Sequence, residues 1–295
     1  MNAKLTLGPV LFNWKPDRWR DFYYRIADEA DVDTVYVGEA VCSKRAPFYA
    51  PHMVDVIERL QGAGKEVIVS TLALIMNGRE MNELRDTAGD ADLMVEANDV
   101  SACALLAGRP HAIGPYVNIY NEGTLKYFTE RGATRVCLPV ELNRTALAAL
   151  AADTTAELEV QVFGRLPLAI SARCYHARAH MLHKDNCQFV CEQDPDGLEV
   201  DTLDHEPFLA VNGVQTMSYS YQNLSAELAE LQNLGIHHFR LSPHTVDMVA
   251  VAEVYRHILD RALTSDEADE KLTALMGDVA FSNGYFHGAK GVDFV

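Results

Sequence analysis

Six cysteines are the residues of this chain with the clearest capacity for chemistry, and four of them form one pattern. Cys174, Cys187 and Cys191 occur within a short polar segment, and Cys42 lies far upstream, directly after a predicted strand. Free cysteine prefers apolar surroundings, so three thiols among basic and turn-forming residues indicate a binding role. Four thiolates form the complete ligand set of a 4Fe-4S cluster, which makes this cofactor our first hypothesis.

The other two cysteines have a different setting. Cys103 lies in DVSACALLAG and Cys137 in ATRVCLPV, where apolar neighbours recur at helix or strand spacing. Cysteine in such surroundings is usually an ordinary core residue. We therefore leave both out of the predicted site.

Zinc is an alternative occupant of the same segment. Structural zinc sites favour paired, closely spaced cysteines, and only Cys187 and Cys191 are spaced in that way. A second version uses His176, His180 and His183, of which the first two would share a helical face with a thiolate. Polar surface histidines are the plainer interpretation of this spacing, because pairs four residues apart arise readily by chance.

Two hydrolytic mechanisms fit the sequence poorly. The chain contains no His-Glu-x-x-His motif, so a zinc protease would lack its usual general base. A cysteine protease requires one thiolate as nucleophile, which leaves three of the four clustered cysteines without a role.

Composition narrows the class of protein. The 295 residues carry 25 basic and 42 acidic side chains, a net charge of −17, which opposes binding to nucleic acid. No apolar run approaches the roughly 18 residues of a transmembrane segment, and the first residues lack the pattern of a secretory signal. We expect a cytoplasmic protein, and in that compartment grouped cysteines bind metals more often than they form disulfides.

Short apolar segments alternate with helical ones along most of the chain. This rhythm is typical of βαβ units with a parallel sheet covered by helices, and the number of units favours a barrel over an open sheet. We predict an α/β fold, a single TIM-like (β/α) barrel over residues 1–295 whose closure the sequence leaves open. The predicted strands are 4–9, 34–38, 66–71, 92–96, 111–118, 134–139, 158–164 and 237–242, with late helices at 223–234 and 247–262.

The alternation breaks between residues 165 and 220. This stretch contains three of the four cysteines, and alternating runs near 198–203 and 207–211 predict a β-hairpin. Long irregular connections in compact domains are usually functional. We interpret 165–220 as a cysteine-rich insertion that carries the cluster over one end of the barrel. Residues 264–295 form the predicted C-terminal helix and tail, with a capping box at the start of the helix.

Barrel geometry brings the predicted site together. Functional residues of (β/α) barrels lie at the carboxyl ends of the strands, where Cys42 follows the second strand and the insertion leaves a late one. All four thiols are therefore expected at one mouth. Arginines in this region are candidates for binding an anion by bidentate contacts, although a surface ion pair explains any one of them equally well. The rim candidates for substrate contacts are Asn13, Trp14, Glu39, Asn118, Glu141 and Arg165, and the candidates for binding an anionic donor are Arg165, Arg173 and Arg178.

Four segments form a specific combination that spans almost the whole chain. They are YVGEAVCSKR (36–45), FGRLPLAISARCYHAR (163–178), KDNCQFVC (184–191) and the closing NGY (283–285). This combination resembles the collagenase-like peptidase superfamily, and in particular its short UbiV branch.

The resemblance implies an activity other than proteolysis. It implies a 4Fe-4S cluster on Cys42, Cys174, Cys187 and Cys191, the same set that the residues themselves indicate. It implies a heterodimer with the homologous UbiU subunit, assisted by a UbiT-like lipid-binding protein. The implied reaction is oxygen-independent hydroxylation of a ubiquinone precursor, with prephenate as the hydroxyl donor. The alternatives are a metal-braced interaction subunit without a redox role, and a peptidase of the same superfamily.

Overall fold

The computed structural model describes residues 3–295 and contains one twelve-stranded sheet with ten α-helices packed around it. The strands are β1 (Lys4–Leu7), β2 (Thr34–Val37), β3 (Glu66–Ser70), β4 (Met94–Ala97), β5 (His111–Ile113), β6 (Ala133–Cys137), β7 (Glu157–Ile170), β8 (Leu198–Asp201), β9 (Pro207–Asn212), β10 (Gln215–Asn223), β11 (His238–Leu241) and β12 (Phe281–Ser282).

The helices follow the strands in alternation through the first half of the chain. Short 3-10 turns at Pro115–Val117, Lys184–Asn186 and Val190–Gln193 complete the regular structure. The helices are α1 (Pro16–Glu29), α2 (Ala46–Gly62), α3 (Gly78–Gly89), α4 (Val100–Leu105), α5 (Glu122–Thr129), α6 (Arg144–Ala152), α7 (Tyr175–Ala179), α8 (Leu228–Asn233), α9 (Met248–Leu259) and α10 (Ser265–Met276).

Eight parallel strands close into a barrel, which confirms the predicted fold class. Strands β1 to β7 pair in sequence order, and β11 pairs with β1 on one side and with the first half of β7 on the other. The sequence did not determine whether the barrel closes, and the structure shows that it does. Because all eight strands are parallel, their carboxyl ends share one mouth, where loops carry functional residues in barrels of this kind.

The helices form by the ordinary rules of amphipathic surface helices. In α1, Pro16 stands at the first position, where its missing N–H costs nothing, and Trp19, Tyr23, Ile26 and Ala27 are buried. Their spacing of three and four residues places them on one face of the helix. That face packs onto the barrel and α2 as part of a continuous apolar core.

The barrel interior contains a polar network as well as apolar side chains. Arg240 Nη2 lies 2.7 Å from Glu96 Oε1 and 2.6 Å from Glu159 Oε2, and the hydroxyl of Tyr36 donates to Glu159 at 2.8 Å. The three charged residues are almost completely buried. A buried charge without a partner is costly, so each member of this network depends on the others.

The insertion begins as a continuation of a barrel strand. Strand β7 runs 14 residues, and only its first part belongs to the barrel. Beyond Phe163 it pairs antiparallel with β10, which pairs with β9, and β9 pairs with β8. Strands β8 and β9 are the predicted hairpin. The long strand β10 is a third element that the sequence pattern did not reveal.

Two predicted elements differ from the structure. The strand expected over 111–118 ends at Ile113, because Pro115 lacks the N–H that a continuing ladder needs and begins a 3-10 turn instead. The helix expected over 223–234 is shorter, since β10 extends to Asn223 and α8 begins only at Leu228. In the second case tertiary strand pairing overrides local helix preference.

The C-terminal helix and tail pack back onto the molecule. Thr264 and Glu267 form the capping box that the sequence predicts at the start of α10. In the tail, β12 pairs with β10, and the side chain of Asn283 exchanges hydrogen bonds with the backbone of Val295.

Candidate functional site: a four-cysteine cavity at the barrel mouth

The four cysteines singled out from the sequence line one small cavity, although they come from distant parts of the chain. Cys42 lies in the loop between β2 and α2, and the other three lie in the insertion after β7. All four are free thiols; Cys191 is buried and the other three are half-buried. We call this space the cysteine cavity.

The loop that carries Cys42 is held by a buried carboxylate. Glu39 Oε1 accepts the backbone N–H groups of Val41 at 2.8 Å and Cys42 at 2.9 Å. Its second oxygen has no hydrogen-bond partner among residues 3–295. Burial raises the pKa of Glu39, and the charge of Arg45 opposes that rise.

The insertion is positioned by a bend in β7 and by contacts with barrel loops. Gly164 has a φ of +104°, and a Cβ there would lie 2.7 Å from Ser242 Cβ, so only glycine fits where β7 leaves the barrel. Trp14 Nε1 donates to the carbonyl of Pro195 at 2.8 Å, and the N–H of Thr245 donates to Asp196 Oδ1 at 2.9 Å.

Cys174 also has a local structural role. Its sulfur accepts the N–H of Ala177 at 3.4 Å, which caps the first turn of α7. A sulfur that accepts at a helix N-terminus is better placed to carry negative charge than one in an apolar core.

A buried arginine supplies positive charge beside the thiols. Arg45 lines the cysteine cavity, and its side chain is about 99% buried. It donates to the carbonyl of Leu11 at 2.7 Å and to Asn212 Oδ1 at 2.8 Å, while Nε has no partner within the described part of the chain. Burial alone would lower the pKa of Arg45, but the nearby charges of Glu39, Cys191 and Cys42 raise it instead.

Burial favours the protonated form of two of the four thiols, Cys42 and Cys174. Burial raises the pKa of Cys42 and of Cys174, and Arg45 offsets part of that rise in both. A bound metal centre would hold these sulfurs as thiolates, because coordination favours the deprotonated form.

The spacing of the sulfurs distinguishes between metal centres. Around one tetrahedral zinc ion, with bonds of about 2.3 Å, thiolate sulfurs lie roughly 3.8 Å apart. Across residues 3–295, no cysteine belongs to a group of three or more ligand atoms that all lie within 4.8 Å of one another. In a 4Fe-4S cluster each thiolate binds a different iron, so the sulfurs are spread more widely. The described thiols therefore lack the close grouping that one zinc ion requires.

An open, cationic basin borders the cysteine cavity. It measures about 600 Å³, and Cys174 belongs to its lining as well as to the lining of the cavity. Arg173 and Arg178 are exposed along it, and Lys184 and His183 lie beside them. We call it the cationic basin. Its charge is suited to a small anion, which the guanidinium groups would hold by bidentate hydrogen bonds.

Most of this chain matches the model of one protein family. The model of peptidase family U32 matches residues 18–294. The chain belongs to peptidase family U32. The match includes all four cysteines of the cavity, the insertion and the barrel strands that follow β1.

Two solved structures resemble this U32 chain at low identity. A chain of the tryptophan synthase complex from Pyrococcus furiosus is 10% identical, with a TM-score of 0.43, and the match covers 93% of this chain and 98% of that one. Phospho-2-dehydro-3-deoxyheptonate aldolase from Thermotoga maritima is 9% identical, with a TM-score of 0.36 over 95% and 71% of the two chains. Both scores are below 0.5, and neither likeness bears on function.

The remaining sequence candidates of this U32 chain are dispersed. Arg165 is buried in the insertion sheet and donates to the carbonyl of Ser218 and to Glu199, each at 3.0 Å. Asn118 is exposed after the 3-10 turn that replaces the end of its predicted strand. Neither residue lines the cysteine cavity or the cationic basin. Cys103 and Cys137 are buried, as their apolar surroundings predict.

Sequence reasoning overlooked Arg45, the residue that most influences the charge of the cavity. Its position three residues after Cys42 was visible, but nothing in the sequence distinguishes a buried arginine from a surface one. No helix among the described residues has the length and apolar character needed to cross a bilayer.

Proposed function

We propose that this U32 chain is the iron–sulfur subunit of a heterodimeric, oxygen-independent hydroxylase that acts on the ring of a ubiquinone precursor. Cys42, Cys174, Cys187 and Cys191 would hold a 4Fe-4S cluster. The observation that carries the proposal is the convergence of four free thiols and a buried arginine on one cavity at the barrel mouth. When bound, the cluster supplies the electron chemistry that side chains cannot perform without O2.

The protein's own residues would bind and orient the reactants. A carboxylate donor such as prephenate matches the cationic basin, where Arg173, Arg178 and Lys184 supply positive charge next to Cys174. Arg45 offsets the negative charge of the thiolates. The sequence resemblance supplies the proposed partners, a homologous UbiU subunit and a UbiT-like lipid-binding protein.

The decisive experiment is strictly anaerobic purification followed by absorption spectroscopy and quantification of iron and sulfide. We expect a broad band near ~400 nm and about four irons and four sulfides per chain. Serine variants of Cys42, Cys174, Cys187 and Cys191 should each lose the band. The matched controls are Cys103→Ala and Cys137→Ala, which remove buried thiols that lie outside the cavity.

Two results would reject the cluster. One is colourless protein after careful reconstitution. The other is a stoichiometric zinc ion that the same four cysteines hold.

The donor site is tested separately with Arg173→Ala. Because Arg173 is exposed, its removal should leave the cluster intact while quinone synthesis falls. Unchanged quinone synthesis with an intact cluster would remove Arg173 from the proposal.

A metal-braced interaction subunit is the second candidate function. The observation that favours it is that the cysteine cavity joins a barrel loop to the insertion, so a bound metal centre would also stabilise the insertion. Cys174→Ser separates the two functions when heterodimer formation is scored independently of activity. Loss of activity with an intact heterodimer favours the redox role, whereas loss of both favours bracing.

Peptidase activity is the third candidate, and the family's name is what favours it. It predicts peptide hydrolysis by the purified chain without its partner. Hydrolysis that persists in Cys174→Ser and in the chain without metal would favour peptidase activity over the hydroxylase and interaction functions.

A further inference from the structure

Three ligand-bearing side chains meet beside the cysteine cavity. His176 lies in α7 and His180 directly follows that helix, so the two are one helical turn apart. Their rings are nearly parallel, with centroids 5.7 Å apart. Asp194 directly follows the 3-10 turn that contains Cys191. One nitrogen of each histidine and one oxygen of Asp194 all lie within 4.8 Å of one another.

Both ring nitrogens of His176 face oxygen atoms of other segments. Its Nδ1 lies 3.2 Å from the carbonyl of Val211, and its Nε2 lies 2.8 Å from Asp194 Oδ2. Both partner atoms are oxygens with lone pairs, which accept hydrogen bonds or bind cations. The ring of His176 is completely buried.

A cation between His176 and Asp194 is compatible with this arrangement. Nδ1–H then donates to the carbonyl of Val211, and Nε2 is free to bind the ion. A histidine that binds a metal through one nitrogen and donates its other N–H to a backbone carbonyl is the usual pattern at metal sites. His180 is exposed, so its ring can turn towards the ion and the open positions of the ion would face solvent.

The distance between the two ligand atoms is compatible with an octahedral ion. With bonds of about 2.05 Å, a separation of 2.8 Å corresponds to an angle of about 86° at the ion. That angle suits two neighbouring positions of an octahedron, whereas a tetrahedral ion would need roughly 3.4 Å between them. Two histidines and one carboxylate on one face are a known ligand set for six-coordinate first-row metals.

We propose that His176, His180 and Asp194 bind a divalent first-row transition-metal ion in an octahedral site distinct from the four cysteines. The proposal does not depend on the hydroxylase function, although His176 also lines the cysteine cavity. It differs from the histidine site considered in the sequence analysis, because Asp194 replaces His183 and no thiolate takes part.

The test uses the full-length chain without a histidine tag and Ni²⁺ as the probe, because imidazole nitrogen suits this ion. Isothermal titration calorimetry compares the wild type with His180→Ala and Asp194→Asn. The matched control is His183→Ala, which removes a nearby exposed histidine from outside the group. Iron and sulfide are quantified in every variant.

We expect one Ni²⁺ per chain to bind to the wild type and to His183→Ala with the same affinity. His180→Ala and Asp194→Asn should each weaken that binding by about tenfold or more. Both variants should retain the iron and sulfide contents of the wild type. The same Ni²⁺ binding should persist in Cys187→Ser, a variant that is expected to lose the cluster. This variant therefore tests the histidine site separately from the cluster.

Two outcomes overturn the proposal. If the wild type binds no Ni²⁺, a protonated His176 paired with Asp194 accounts for the contact. If binding survives both His180→Ala and Asp194→Asn but disappears in Cys187→Ser, the ion occupies the cysteine cavity instead.

Discussion

Arg45 is the residue on which the electrostatics of the cysteine cavity depend most. Its guanidinium is buried against the thiols and is fixed by Leu11 and Asn212. Thiolates in a buried cavity repel one another, and a fixed cation in the same cavity lowers the cost of collecting them. Arg45 therefore contributes to the structure and to the metal centre at once.

Replacing Arg45 with methionine should lower the stability of the folded protein and shorten the lifetime of the cluster. Asn212 Oδ1 would lose its buried donor, which costs about 1–3 kcal/mol of unfolding free energy. We expect this loss in urea unfolding, together with a several-fold shorter lifetime of the ~400 nm band in air. The control is Arg59→Met, which removes an exposed arginine from α2, the helix that Arg45 directly precedes. Equal cluster lifetimes in the two variants would contradict this role for Arg45.

Glu159 determines part of the acid stability through the barrel network. Burial alone would raise its pKa, but the charge and hydrogen bond of Arg240 outweigh burial and lower the pKa to about 2. A carboxylate whose pKa is lower in the folded state stabilises that state above the unfolded pKa of about 4.3. This stabilisation disappears as the pH falls from there towards 2.

Urea unfolding between pH 7 and pH 3 tests this dependence. The wild type should lose stability as the pH decreases below about 4.3, by roughly 2 kcal/mol at pH 3 if the network acts alone. Glu159→Gln should be less stable at pH 7 and should lack that part of the slope. Glu58→Gln changes an exposed carboxylate and should retain it. Identical slopes in all three proteins would rule out the network as the cause.

At the scale of elements, the turn between β9 and β10 fits closely against the cysteine cavity. Gly213 has a φ of +63°, and a Cβ at this position would lie 2.8 Å from Arg45 Nη2. The turn therefore requires glycine for two reasons, the backbone conformation and the space that Arg45 occupies. This contact links the insertion sheet directly to the helix that follows Cys42.

A comparison of Gly213→Ala with Gly64→Ala separates the cost of the backbone conformation from the cost of displacing Arg45. Gly64 also has a positive φ, +78°, but a Cβ there meets nothing within 4 Å. Gly64→Ala should cost about 1–2 kcal/mol for the backbone alone. Gly213→Ala should cost roughly 2 kcal/mol more in urea unfolding, because Arg45 must move. Equal losses would mean that Arg45 moves aside freely.

At the scale of the molecule, the cysteine cavity joins the insertion to the barrel. The segment from Cys174 to Cys191 has little regular structure, one short helix and short turns, and most of its residues are exposed or half-buried. Such segments open at low free-energy cost unless a ligand orders them. A cluster on four thiolates would cross-link this segment to the loop after β2.

Removal of the cluster should therefore loosen the insertion while the barrel stays folded. In hydrogen exchange, peptides from residues 171–197 should exchange about tenfold faster or more in the cluster-free protein, equivalent to ~1.4 kcal/mol of local opening. Peptides from β2 and β3 provide the internal control and should be unchanged. Uniform acceleration across the chain would indicate global destabilisation instead.

The sequence alone was sufficient for the α/β-barrel class, although not for its closure, and for selecting four cysteines as candidates. Apolar strands such as 34–38 and 66–71 carry their own periodicity, and a cysteine in a polar segment is conspicuous by composition. Local signals also predicted the hairpin of β8 and β9 and the capping box at Thr264. These features depend on neighbours within a few residues, which a sequence displays directly.

Tertiary structure decided which polar residues became buried partners. Strand β10, the engagement of Arg165 in the insertion sheet, the cavity position of Arg45 and the meeting of His176 with Asp194 all arise from contacts between distant segments. Burial and charge pairing are properties of the folded space around a side chain, and residue type does not encode them. For that reason the sequence indicated which thiols to consider, and the fold determined what surrounds them.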